Sequence, residues 1–163
     1  MANYAALSVA RLLILLLVGG GLGCLLLGRR VCVQSSVASI KAAWNCDGLI
    51  HYHQWDDYDL QGNYFALGSS IAVILFYLGS IVFVCTGNRA HKLESLLSLG
   101  VVLTCLVDGV LMAWYAAQGY HHSILGFIHM DGYVESYIAA SVLYFVATLF
   151  ALADGLSAFR ARI

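Results

Sequence analysis

Three ionisable side chains interrupt otherwise apolar runs: Arg11, Asp108 and Asp154. A charge placed in hydrocarbon costs at least ~2.5 kcal/mol unless it is paired or wetted, so each needs a physical explanation. Arg11 lies inside the first run and Asp154 at a comparable depth in the last, and the two read as a structural ion pair. Asp108 falls near the middle of the third run, with Thr104 and Cys105 within one turn. Two chemistries are open to it. A neutral carboxyl hydrogen-bonded to a neighbouring helix is the simpler one; a working group on a proton or ion path is the other.

A second set of reactive residue types lies between the runs. His51 and His53 share one face if their segment is extended, and Asp56, Asp57, Asp59, His121, His122 and His129 offer further ligands. Their spacing matches no recognised zinc pattern, and a hydrated acidic loop accounts for them equally well, so no metal and no cofactor is assigned. Cys32 and Cys46 are the two cysteines outside the apolar runs. In an oxidising compartment they are a candidate disulfide, with reduced thiols as the alternative. Cys24, Cys85 and Cys105 sit within runs and read as small packing residues.

Several chemistries find no support. No Gly-rich phosphate loop, HExxH or GxSxG occurs, so the chain reads as a non-enzyme. Its net charge of −1 gives no basic face for nucleic acid.

The elements that must position these residues are membrane spans. Of 163 residues, 61% are hydrophobic and 10% charged, against about 25% charged in soluble domains. LLILLLVGGGLGCLLL, from Leu12 to Leu27, is long enough with its Ala-rich lead-in to cross a core of about 30 Å. In lipid such a segment must be helical, because no water satisfies the backbone. The expected fold class is an all-α membrane protein, a four-transmembrane-helix bundle forming one domain. The spans are about 5–28, 65–86, 96–118 and 135–158, with loops 29–64, 87–95 and 119–134. A cleaved signal peptide is the competing reading of the first run. It is disfavoured because Gly28 runs into Arg29 and Arg30 with no small-x-small site.

Within span one, Gly19 and Gly23 form a small-xxx-small pair suited to close helix packing, either inside the molecule or at a homo-oligomer seam. Val31, Val33 and Val37, and then Ala42-Ala43-Trp44, hint at a short β element in the first outer loop. The stretch HYHQWDDYDLQGN reads as a solvated surface loop. Trp44, Trp55, His51 and His53 are therefore expected to meet partners there. Trp114, Tyr115 and Tyr120 form an aromatic belt at the far end of span three.

Orientation follows from the basic residues. With both termini inside, the cytoplasmic side holds Arg11, Arg89, Lys92, Arg160 and Arg162, against Arg29, Arg30 and Lys41 outside. Loop 119–134 has no Lys or Arg, which favours the same arrangement. Both termini are expected to be cytoplasmic.

Four spans, a longer first outer loop and a short basic inner turn resemble the MARVEL-like tetraspan proteins. Within that class the chain looks most like the snakeskin family of insect smooth septate junctions. Trp44-Asn45, His91-Lys92, Trp114-Tyr115, Gly119-Tyr120 and the Leu-rich approach to Asp154 carry the likeness. The claudin loop signature is absent. The resemblance implies a junctional plasma-membrane protein that associates laterally with other junctional membrane proteins and contributes to an epithelial barrier. A vesicle-trafficking tetraspan of the same architecture, and a transporter or channel subunit working through Asp108, are the alternatives.

Overall fold

In the computed structural model the backbone is described for residues 4–33, 48–49, 55, 60–85, 91–118, 120–124 and 128–160, and side chains for 9–28, 55, 60–83, 94–117 and 134–160. The architecture is almost entirely helical. Helix α1 spans Tyr4–Leu27, α2 Gly62–Cys85, α3 His91–Gln118 and α4 Glu135–Arg160. All four are long and apolar enough to cross a membrane. Helix α2 begins three residues before position 65, and α3 five before position 96, taking His91 and Glu94 into the helix.

The faces turned inward follow one rule. Buried positions step by three and four in alternation: Arg11, Ile14, Val18, Gly21 and Leu25 on α1, and Asn63, Ala66, Ser70, Val73, Tyr77 and Ser80 on α2. Helix α3 continues it with Glu94, Ser98, Val101, Cys105, Asp108 and Met112. On α4, Tyr137, Ala140, Tyr144, Ala147, Ala151, Asp154 and Ala158 do the same, with Ser141 beside them. This is the 3.5-residue repeat of helices that pack with a left-handed supercoil. The outward faces carry Leu16, Leu75, Val82, Phe83, Leu96 and Leu149, all exposed, as suits contact with lipid. The inside is thus the more polar side of these helices, because hydrocarbon draws out no hydrophobic face from an apolar bundle.

Helix α4 is the central element, in broad contact with α3 and α1, whereas α2 touches α3 only sparsely. Alanines on α4 permit that approach, since small residues let backbones come close. Gly21 is another such point, where an added Cβ would lie 3.0 Å from the Tyr144 ring. Gly28 ends α1 with φ at 48°, and its N–H donates to the Cys24 carbonyl at 3.4 Å. That left-handed position is where glycine closes a helix without a Cβ penalty.

Short strands β1 (Arg29–Val33), β2 (Gly48–Leu49), β3 (Tyr120–Ile124) and β4 (Ile128–Val134) join the helix ends, paired antiparallel in the order β2-β1-β4-β3. Arg30 lies opposite Val134 and Cys32 opposite Gly132.

Candidate functional site

The buried polar residues form two groups, one towards each end of the bundle. At the end holding the start of α1 and the end of α4, one guanidinium ties all four helices together. Arg11 Nε lies 3.4 Å from Asp154 Oδ1 on α4, and Nη2 lies 3.4 Å from Glu94 Oε2 on α3. Nη1 donates to the Ser80 hydroxyl on α2 and approaches the Ser80 carbonyl at 3.5 Å. Ser98 Oγ reaches Asp154 Oδ2 at 3.4 Å. The side chains of Arg11 and Asp154 are each 1% exposed, and Glu94 is 10% exposed. Arg11 is seven residues into α1, about 10 Å along its axis, close enough to the boundary for a long cation to be held there.

The expected partners Arg11 and Asp154 are therefore neighbours, and Glu94 is a third member that sequence reasoning missed. In sequence it falls in the short polar connection 87–95, beside His91 and Lys92. Its position in the first turn of α3 suits a carboxylate, because the helix N-terminus carries partial positive charge.

Towards the other end the groups are amides and hydroxyls, neutral in type, apart from Asp108. Asn63 Nδ2 donates to the Tyr137 hydroxyl, and the Ser70 and Tyr144 hydroxyls are 2.8 Å apart. Both contacts join α2 to α4 with the same sequence offset, so these two helices run parallel in register. Asp108 is 1% exposed, with Ser69 Oγ 2.8 Å from Oδ2 and 3.0 Å from Oδ1. The same hydroxyl is 3.1 Å from the Ala66 carbonyl. Asp108 thus bridges α3 to α2, two helices that touch only sparsely, and no cation pairs with it among the described residues. Thr104, one turn away, bonds instead to the Gly100 carbonyl at 2.8 Å, so it is not an Asp108 partner.

One expectation is corrected. Trp55 is not a solvent-facing contact residue: it is wholly buried, its ring edge-on to Tyr64 at 5.0 Å. Its carbonyl accepts the Leu60 N–H at 2.8 Å just before α2, so it belongs to the closure of the helix start. The Gly19–Gly23 pair, open to packing inside the molecule or to a seam between copies, makes no close helix contact among the described residues. A Cβ at either would meet nothing within 4 Å, whereas Gly20 and Gly21 face Leu143 and Tyr144 of α4. The alternating three-and-four step from Arg11 selects Gly21, a signal available in the sequence once Arg11 is taken as an inward residue.

Gly62 N donates to the Tyr115 hydroxyl at 2.9 Å, while Trp114 is exposed. The Cys32 side chain, Trp44, Cys46, His51, His53, Asp56, Asp57 and Asp59 lie outside the described residues, and so do the side chains of His121, His122 and His129. On the backbone, His121 lies opposite Asp131. Comparisons with protein-family models, curated proteins and solved structures give no match to this chain.

Proposed function

We propose that this is a non-enzymatic tetraspan of the plasma membrane that organises epithelial cell junctions of the septate type. It acts through lateral contacts of its helices and through its outer loops, with both termini cytoplasmic. One observation carries the structural half of this reading. The buried polar side chains of the helices bond chiefly to one another across helices, from Asn63–Tyr137 at one end to the Arg11 cluster at the other. A bundle whose inner polar groups hold its own helices together is suited to be a rigid body that presents loops.

The junctional half rests on the likeness to the snakeskin-type tetraspans. The short β segments, in this reading, stiffen the outer surface through which neighbouring proteins are met. The decisive experiment localises a tagged copy in a polarised epithelium. Enrichment along lateral cell borders, with a C-terminal tag labelled only after permeabilisation, is expected. Retention in intracellular vesicles would instead favour the trafficking reading, and labelling of intact cells would reverse the orientation. A Cys32–Cys46 bond, if present, would appear as linked peptides in non-reducing mass spectrometry of surface material.

A second reading has its own observation. Among the described residues Asp108 has no cationic partner at the sparse α2–α3 interface, where a proton- or ion-coupled transporter or channel subunit would keep its working carboxyl. A neutral carboxyl accounts for the geometry as well: its O–H would donate to Ser69 Oγ at 2.8 Å, leaving the Ser69 hydroxyl to donate to the Ala66 carbonyl.

A further inference from the structure

The charges of the Arg11 cluster do not cancel. One guanidinium faces two carboxylates, so the formal sum is one negative charge at a place where every member is at least nine-tenths buried. The start of α3 steadies Glu94 with partial positive charge, but a helix end does not supply a whole one. On α1 the only charged side chain facing the cluster is Arg11. On α2 the cluster meets Ser80 and Tyr77, and on α3 Glu94 and Ser98, with Cys105 next to Tyr77. On α4 it meets Asp154; Arg160 is exposed six residues further on. Among the described side chains no second cation balances the pair. The side chains of His91 and Lys92 lie outside that description.

A second observation points to the same place. The Tyr77 hydroxyl is wholly buried and has no partner at hydrogen-bond geometry among the described residues; Ser98 is a close polar neighbour, and it lies in the field of Asp154 and Arg11. A buried hydroxyl is ordinarily satisfied by protein or by an ordered guest. Tyr77, Ser98 and the two carboxylates together offer oxygen ligands around one uncompensated negative charge among the described side chains. We propose that this cluster binds one monovalent cation, either a proton or an alkali-metal ion, between Glu94, Asp154, Ser98 and Tyr77. A bound proton sits on a carboxyl oxygen and gives the Tyr77 oxygen a donor. An alkali ion is met by the same oxygens directly. In both cases the guest completes the tie between α2, α3 and α4 at this end, independently of what the whole protein does.

The test uses the full-length protein in lipid nanodiscs, unfolded by heat in sodium, potassium or N-methylglucamine chloride at equal ionic strength and at several pH values. An alkali guest raises the midpoint by about 3–5 °C for each tenfold rise in that ion above its dissociation constant. A proton guest raises it as pH falls, with no preference among the salts. In Glu94→Gln the remaining charges balance, and the response, whichever cation causes it, is expected to vanish. Tyr77→Phe keeps the ring and removes one ligand, so at least a tenfold higher cation concentration should be needed; this variant decides the matter if Glu94→Gln does not fold. A midpoint that ignores both salt identity and pH would overturn the site. So would a response that persists unchanged in either variant.

Discussion

The two ends of the bundle solve the same problem with different chemistry. At the Arg11 end, a single cation holds three other helices through two carboxylates and a serine. Towards the other end, helices are joined by single pairs of polar side chains: Asn63 with Tyr137, Ser70 with Tyr144, Ser69 with Asp108. The difference lies in what each contact leaves behind when broken. Losing Arg11 strands two buried charges, whereas losing one hydroxyl strands a single side chain: an amide, a carboxyl or another hydroxyl. The charged end should therefore be stiff and intolerant, and the hydroxyl-bonded end redundant and forgiving.

Arg11→Leu is the sharpest way to break this contrast. Both Glu94 and Asp154 then lack a partner, and a loss of about 3–5 kcal/mol is expected, as for other buried pairs cut on one side. Folded protein recovered from membranes should fall steeply. Adding Asp154→Leu alone should rescue little, because Glu94 stays unpaired. Combining Arg11→Leu with Glu94→Gln and Asp154→Asn should restore much of the yield. A full rescue by the double change would show that Glu94 is not a working member of the cluster. Asp154→Leu by itself should be milder than Arg11→Leu, since Arg11 and Glu94 still balance.

The glycines of α1 offer a smaller contrast. Gly21→Leu drives a side chain into the Tyr144 ring, which a Cβ alone would approach to 3.0 Å. Overpacking of this kind costs about 1–3 kcal/mol. Gly19→Leu and Gly23→Leu meet open space and should leave thermal stability unchanged within about 0.5 kcal/mol. If either shifts the oligomeric state in nanodiscs while Gly21→Leu does not, the outward glycine pair is a seam between copies.

What the sequence made legible follows the same physics. The four helices were readable because the apolar runs are about 20 residues long, the length of a spanning helix and about twice that of a barrel strand. Arg11 and Asp154 stood out because a charge inside a run is conspicuous. Glu94 was hidden by its neighbours His91 and Lys92, which gave a helix start the look of a hydrated turn. Trp55 was hidden by the acidic residues around it. Gly21 was hidden because a helix that is apolar all round gives no hydrophobic face from which to choose. The inward polar residues supply that choice: stepping three and four from Arg11 reaches Gly21, and from Asp108 back along α3 reaches Glu94. Reading polarity rather than hydrophobicity as the mark of the inside would have recovered both.

The neutral end can be probed next by Tyr144→Phe, which removes the hydroxyl facing Ser70 and keeps the ring against Gly21. A loss of about 0.6 kcal/mol is expected, the average for hydrogen bonds between membrane helices. A loss near that of Arg11→Leu would erase the difference between the two ends.

The smallest effect on folding should come from Asp108→Asn, and it decides most about function. Asparagine keeps the size of the side chain and its capacity to bond Ser69, but gives up the proton that a carboxyl exchanges. If Asp108 is a neutral bridge between α3 and α2, the amide keeps that bond and the change stays below the ~0.6 kcal/mol of a lost interhelical hydrogen bond. Surface level and epithelial barrier resistance should then both match the unaltered protein. A proton relay behaves differently, since an amide cannot take up and release a proton on the way through. Normal surface expression of Asp108→Asn combined with complete loss of activity would mark the carboxyl as a working group. The sparse α2–α3 interface would then be the path it serves, and the bundle a transporter with a charged lock at one end rather than a scaffold.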